Sequence, residues 1–201
     1  MFTQSIFNIS PAWVNYSKSL NMWHISSNGS TATSYNTSPT PTTSWTNVTG
    51  YNQSRGVSIG ITDVNGSVFA CCSTASDGYY NSWWYVSTNG INFTRISSAQ
   101  PGYMRVSYTD GVGYINGKYF LLNSTPFVGT DLVNFNFSTM PNYPLPSSCT
   151  GISSSPQFNS LVMIDSQGYV VSTNDGTNWT SRGQVSLTPG SYNPVVSCIR
   201  G

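Results

Sequence analysis

Few side chains in this sequence could move a proton or attack a carbon. Every acidic residue is an aspartate (Asp63, Asp77, Asp110, Asp131, Asp165 and Asp175), glutamate is absent, and His24 is the only histidine. Two aspartates roughly 5–9.5 Å apart would make a glycosidase pair. Several of them, however, lie in Asp-Gly or Asn-Gly-like turns, where an Asx side chain is wanted by the backbone. A Ser-His-Asp site would have to use His24, and no Gly-x-Ser-x-Gly elbow is there to present the serine. An imidazole built into a strand, in the core or at the surface, is the simpler expectation. "TDVNGS" at 62–67 opens like a calcium loop but lacks the later glutamate, so no metal and no cofactor is expected. Of the four cysteines, Cys71 and Cys72 are adjacent and would point to opposite faces of a strand, which makes them poor joint ligands for one zinc. With Cys149 and Cys198 they read as thiols of a chain made in a reducing cytosol.

Binding chemistry is better represented. Tyr79, Tyr80, Trp83, Trp84 and Tyr85 cluster with Asp77 and Asn81 in "SDGYYNSWWYV" at 76–86. Flat rings beside amide and carboxylate groups suit stacking on a sugar or packing against a protein partner. On a strand, Trp84 and Val86 alternate with Trp83 and Tyr85, so one face would be ordinary core. Tyr79, Tyr80 or Trp83 is then the expected point of contact.

The elements that position these residues are strands. Charged residues make up 6% of the chain and aromatics 14%, against roughly 25% charged in an average soluble protein. Disordered chains are the reverse on both counts, so this one folds. Without glutamate, and with only Lys18 and Lys118, the usual solvated helix faces cannot be built. The net charge of +1 comes from scattered residues with no basic run, so a nucleic-acid partner is not expected. No segment approaches the ~20 apolar residues of a membrane-spanning helix, and the N-terminal segment lacks a basic start followed by an apolar run, so neither membrane insertion nor a secretory signal is expected.

A pattern repeats along the chain. "STNGINF" at 87–93, "GTDLVNF" at 129–135 and "STNDGTNW" at 172–179 each follow a β-prone run, turn through Asn, Asp or Gly and end in an aromatic. Their starts are about 42 and 43 residues apart, the range of propeller blades and similar arrays. Upstream, "VNGSVFACCS" at 64–73, "INGKYFLLNS" at 115–124 and "FNSLVMIDS" at 158–166 read as short strands preceded by turns. A weaker copy begins near "MWHISSNGST" at 22–31, with Trp45 as a displaced closing aromatic. "MPNYPLPSS" at 140–148 reads as a connection between units, because proline cannot supply central ladder hydrogen bonds.

"STNDGTNW" resembles the Asp-box, or bacterial neuraminidase repeat, Ser-x-Asp-x-Gly-x-Thr-Trp. Ser172, Gly176 and Trp179 match it, with Asn174 in place of the Asp and Asn178 in place of the Thr. The copy with Ser87, Asn89, Gly90 and Phe93 is one residue shorter in this frame, and the copy with Gly129, Asp131 and Phe135 lacks the serine and the glycine. The resemblance implies an architectural hairpin connector on the outer strands of propeller blades, away from any active site. Sialidase chemistry, which that family also hosts, needs a glutamate beside its tyrosine nucleophile, and this chain has none.

The expected fold is all-β, a small β-propeller or blade-like array of about four to five antiparallel units. These are expected at 1–55, 56–100, 101–145 and 146–190, with a closing strand at 191–201, all in one domain. The expected function is non-enzymatic. Abundant Ser, Thr, Asn, Gly and Tyr with almost no charge resemble phage virion proteins: a capsid decoration or tail-fibre accessory, made in the host cytoplasm, contacting other virion proteins and copies of itself, and aiding host attachment through a surface glycan or receptor. The alternative is a stand-alone propeller lectin, cytoplasmic or secreted.

Overall fold

Two dipeptides fix two hairpins. Asn65-Gly66 and Asn116-Gly117 have φ of 49° and 77°, and 46° and 77°, so both central residues are left-handed, and they join strands paired at Val64↔Ser67 and Ile115↔Lys118. Such two-residue turns match the twist of the strands they connect. In the computed structural model, which describes residues 11–28, 33–38, 46–50, 58–75, 80–96, 111–132, 134 and 136–186, these hairpins belong to the second and third of four small sheets.

Each sheet is a four-stranded antiparallel meander. The first holds β1 (Pro11–Ser17), β2 (Met22–Asn28), β3 (Thr33–Ser38) and β4 (Thr46–Asn47). The second holds β5 (Ser58–Val64), β6 (Ser67–Ala75), β7 (Tyr80–Ser87) and β8 (Thr94–Arg95). The third is β9 (Val112–Ile115), β10 (Lys118–Leu121), β11 (Phe127–Gly129) and β12 (Phe137–Thr139), and the fourth β13 (Cys149–Ser155), β14 (Ser160–Asp165), β15 (Tyr169–Thr173) and β16 (Thr180–Gln184). No helix occurs among the described residues. The fold is thus all-β and blade-like; the closing strand expected at 191–201 lies outside the described residues.

The chain divides into two compact units, Met1–Ile96 and Ser97–Gly201, each with two sheets. In the second unit burial falls across each sheet from its first strand to its last. In the fourth sheet β13 is almost wholly buried, Leu161, Met163 and Ile164 of β14 are buried, and β16 is exposed along its length. A strand buried on both faces must be small or apolar, which is why Ser153, Ser154 and Ser155 sit inside. Within the second unit β9 packs on β13 and β14 so closely that a side chain at Gly113 would place its Cβ 2.5 Å from Leu161 Cδ1. In the first unit Val68, Ala70, Tyr85, Phe93 and Val48 form one buried cluster, which Leu20 flanks.

Candidate functional site

The loops between the third and fourth strands of the second and fourth sheets carry polar side chains of specific spacing. In loop 87–93 the Ser87 hydroxyl donates to Asn89 Oδ1 (3.0 Å) and accepts from Gly90 N–H (2.9 Å), while Asn89 Oδ1 accepts from the N–H groups of Ile91 and Asn92, both at 2.9 Å. Loop 173–179 repeats this with Thr173 and Asp175. Thr173 Oγ1 donates to Asp175 Oδ1 (2.9 Å) and accepts from Gly176 N–H (2.9 Å), and Asp175 Oδ1 accepts from Thr177 (2.7 Å) and Asn178 (2.8 Å). Those N–H groups, Asn178 first and Thr177 next, hold the Asp175 carboxyl well below the usual carboxylate range.

This moves the reading frame of the motif by one residue. The hydroxyl and carboxylate of the turn belong to Thr173 and Asp175, not to Ser172 and Asn174. Strand register gives the reason: Val68↔Ser87 and Leu161↔Thr173 are equivalent pairs, and Ser172 lies one residue back, paired with Thr180 and accepting from Arg182 Nε at 2.7 Å. In the corrected frame both loops are seven residues long, Ser/Thr-x-Asn/Asp-Gly-x-Asn-aromatic.

The third copy is longer. Asp131 Oδ1 accepts from Asn134 N–H (3.3 Å) in the same manner, but Gly129 pairs with Phe137, which is buried. Gly129 is small for that reason, since an added Cβ would lie 2.7 Å from the Phe137 ring. Phe137, not Phe135, therefore takes the register position of Phe93. Phe135 and Trp45 lie outside the described residues.

Loops 87–93 and 173–179 each dock on the preceding sheet of their own unit through their glycine. Gly90 (φ 72°) would place a Cβ 2.9 Å from Met22 Sδ and 3.1 Å from His24 Cε1; Gly176 (φ 69°) would place one 3.1 Å from Ile115 Cγ2 and 3.3 Å from Lys118 Cδ. The ammonium of Lys118 donates to Gly176 O (3.2 Å) and Thr177 Oγ1 (2.5 Å). Trp179 meets the Phe120 ring edge-on, with centroids 5.8 Å apart.

Among the described residues Asp63, Asp165, His24, Cys149 and Tyr143 belong to the framework. Asp63 accepts from Ser17 Oγ (3.0 Å), Ser19 N–H (3.0 Å) and Ser19 Oγ (2.7 Å), tying the β1–β2 turn to β5. Asp165 is fully buried and accepts from the N–H groups of Ser147, Gln167 and Tyr169. His24 is fully buried at the position that Phe69 and Phe120 take in the second and third sheets. Burial lowers its pKa to about 4, against an opposing attraction from Asp63. Cys149 is a buried thiol pushed up to about 12, chiefly by burial, and burial also raises the phenol of Tyr143, which donates to Ser147 O at 2.8 Å. Among the described residues no three His, Cys, Asp or Glu side chains cluster to hold a metal.

Two residues of the aromatic cluster lie in the core and not on the contact surface expected. Trp84 and Tyr85 are 2% and 3% exposed and belong to the core, because β7 is an interior strand between β6 and β8 with both faces covered at this point. Asp77 and Tyr79 lie outside the described residues, and of Tyr80, Asn81 and Trp83 only the backbone, in β7, is described. Sequence reasoning missed Lys118, Phe120 and the polar residues beside Trp179. They line a groove of about 410 Å³ with Thr130, Asn136, Ser138 and residues 140–142.

No family model and no curated protein sequence matches the chain. Similar solved structures include one titled a nidogen/laminin complex, at TM-score 0.49 and 9% identity over 85% of this chain and 63% of that one, so that the chain spans under two thirds of its length. Another is Zg3597, a family 117 glycoside hydrolase produced by the marine bacterium Zobellia galactanivorans, at TM-score 0.45 and 12% identity over 93% and 72%.

Proposed function

We propose that this chain is a non-enzymatic structural protein of a virus particle, a capsid decoration or tail-fibre accessory of a phage exposed on the particle, where it aids host attachment. The observation that carries the reading is where the acidic, imidazole and thiol groups among the described residues are spent. Asp63, Asp165 and Asp175 accept from backbone N–H groups that shape turns, Asp131 does the same for Asn134, and His24 and Cys149 are buried. A hydrolase would keep a carboxylate or imidazole facing its substrate with a pKa near working pH. The Asp-box resemblance supports the same reading, since in that family the motif is architectural. The charge-poor, Ser/Thr/Asn-rich composition supports a protein that works among copies of itself.

The stand-alone lectin is the second reading, and the groove beside Trp179 favours it. The test is electron cryo-microscopy of the source particle together with the purified chain. Density for this chain in a shell or appendage is the expected result. An isolated protein absent from purified particles would overturn the virion assignment and leave the lectin.

A further inference from the structure

The seam between neighbouring sheets is closed in one unit and open in the other. In the first unit the segment after β4, residues 48–50, straps loop 87–93. Thr49 N–H donates to Ile91 O (2.8 Å), Phe93 N–H donates to Thr49 O (2.8 Å), and the Thr49 hydroxyl donates to Asn92 Oδ1 (2.7 Å). The strap lies so close that a side chain at Gly50 (φ 76°) would place its Cβ 1.8 Å from Phe93 O.

Strand register puts residues 140–142, after β12, in the same place: Thr37↔Thr46 corresponds to Val128↔Ser138, and Val48 and Met140 are both buried. Here Pro141 replaces Thr49 and Asn142 (φ 52°) replaces Gly50. Proline has neither the N–H nor the hydroxyl that seats the strap. The β-carbon of Asn142 is what the close approach forbids. Among the described residues no backbone hydrogen bond joins 140–142 to loop 173–179, and the groove opens between them. Trp179, the counterpart of buried Phe93, is left half-exposed on its wall.

We infer that this groove is a saccharide-binding site with Trp179 as its stacking platform. A sugar ring offers an apolar C–H face and a rim of hydroxyls, each both donor and acceptor. The groove answers with the Trp179 indole, the side chains of Thr130, Asn136 and Ser138, and Lys118. An ammonium has three N–H donors, and two of those on Lys118 are used within loop 173–179, so one remains for a ligand oxygen. The volume of about 410 Å³ falls among small-molecule sites of roughly 300–1,000 Å³. A peptide strand is the poorer occupant, because Pro141 cannot donate to an added backbone. The inference rests on the reading of this surface as one for contact, not catalysis.

The experiment is ligand-observed NMR on the full chain with a panel of neutral hexoses, N-acetylhexosamines and uronic acids, in mono- and oligosaccharide form. Binding of at least one class is expected. Trp179→Phe, which keeps a ring like that of Phe93, weakens it by about tenfold. Asn136→Ala, at an exposed side chain, weakens it by about threefold. Pro141→Thr with Asn142→Gly, which rebuilds the strap of the first unit, abolishes it while the unfolding midpoint holds or rises. No binding to any class, binding unchanged in all three variants, or displacement of the sugar by an unrelated extended peptide overturns the assignment. Release of reducing ends by the wild-type chain is read in the same tube and would instead sink the non-catalytic reading.

Discussion

His24 should make the first unit acid-sensitive, and the size of the effect follows from its burial. The imidazole is enclosed between β2 and loop 87–93, and its pKa falls from 6.5 to about 4. Between those values the unfolded chain binds a proton that the folded chain refuses, so stability rises with pH across the window and is lost as pH falls. At ~1.4 kcal/mol per pH unit the loss approaches about 3 kcal/mol by pH 4, a large share of a domain's ~5–15 kcal/mol. Because the sequence has one histidine, its imidazole proton resonance is unambiguous. In the native protein it should hold a neutral-form shift down to about pH 4.5 and titrate near 6.5 only in urea. His24→Phe, which installs the residue found at the equivalent positions 69 and 120, should flatten the fall of the urea midpoint between pH 6.5 and 4.5. A native imidazole titrating near 6.5, or parallel midpoint curves for the two proteins, would refute the reasoning.

Two further outcomes test the loops. Thr173→Ala should cost about 1–2 kcal/mol in urea unfolding, because it strands the Gly176 N–H and removes one donor from the Asp175 carboxylate, whereas Ser172→Ala loses only the Arg182 hydrogen bond and should cost less; the opposite order would restore the original frame. Gly50→Ala would drive a Cβ into the Phe93 carbonyl and should cost well over the ~1 kcal/mol expected of Gly66→Ala, whose left-handed residue has open space around it; equal costs would show that the strap does not lie against loop 87–93.

The fold class was legible because its signals are local. Asn-Gly dipeptides dictate tight turns, and the motif with its closing aromatic recurs three times at intervals of about 42 and 43 residues. The frame of the motif was not legible, since Ser172-Thr173 and Asn174-Asp175 each offer two side chains of the same chemistry, and only the pairing Leu161↔Thr173 chooses between them. A slip of one residue exchanges the two faces of a strand. The third loop misled for a different reason: it is two residues longer, so the sequence offers Phe135 where register selects Phe137. Trp84 and Tyr85 read as half of a surface because alternation distinguishes faces only when one of them is solvated, and both faces of β7 are covered there. The groove was hidden in plain composition. Pro141 reads as a linker residue, and its meaning emerges only beside Thr49, which follows a strand, β4, only two residues long that leaves no periodicity to align.

The absence of glutamate fits the same architecture. Asp131 and Asp175 reach the N–H three residues ahead, and Asp175 that of Thr177 two ahead as well, a geometry set by a carboxylate one carbon from the backbone. Asp165 closes its turn on Gln167 and Tyr169 by the same short reach. A glutamate, one methylene longer, would overshoot these donors and spend more side-chain entropy in holding still. With the carboxylates of Asp63, Asp131, Asp165 and Asp175 engaged by N–H groups of the chain itself, contact with the outside at the described loops falls to amides, hydroxyls and rings. A groove that gathers an indole, an ammonium and several hydroxyl and amide side chains, with no carboxylate on its walls, is then what such a chain has left to bind with.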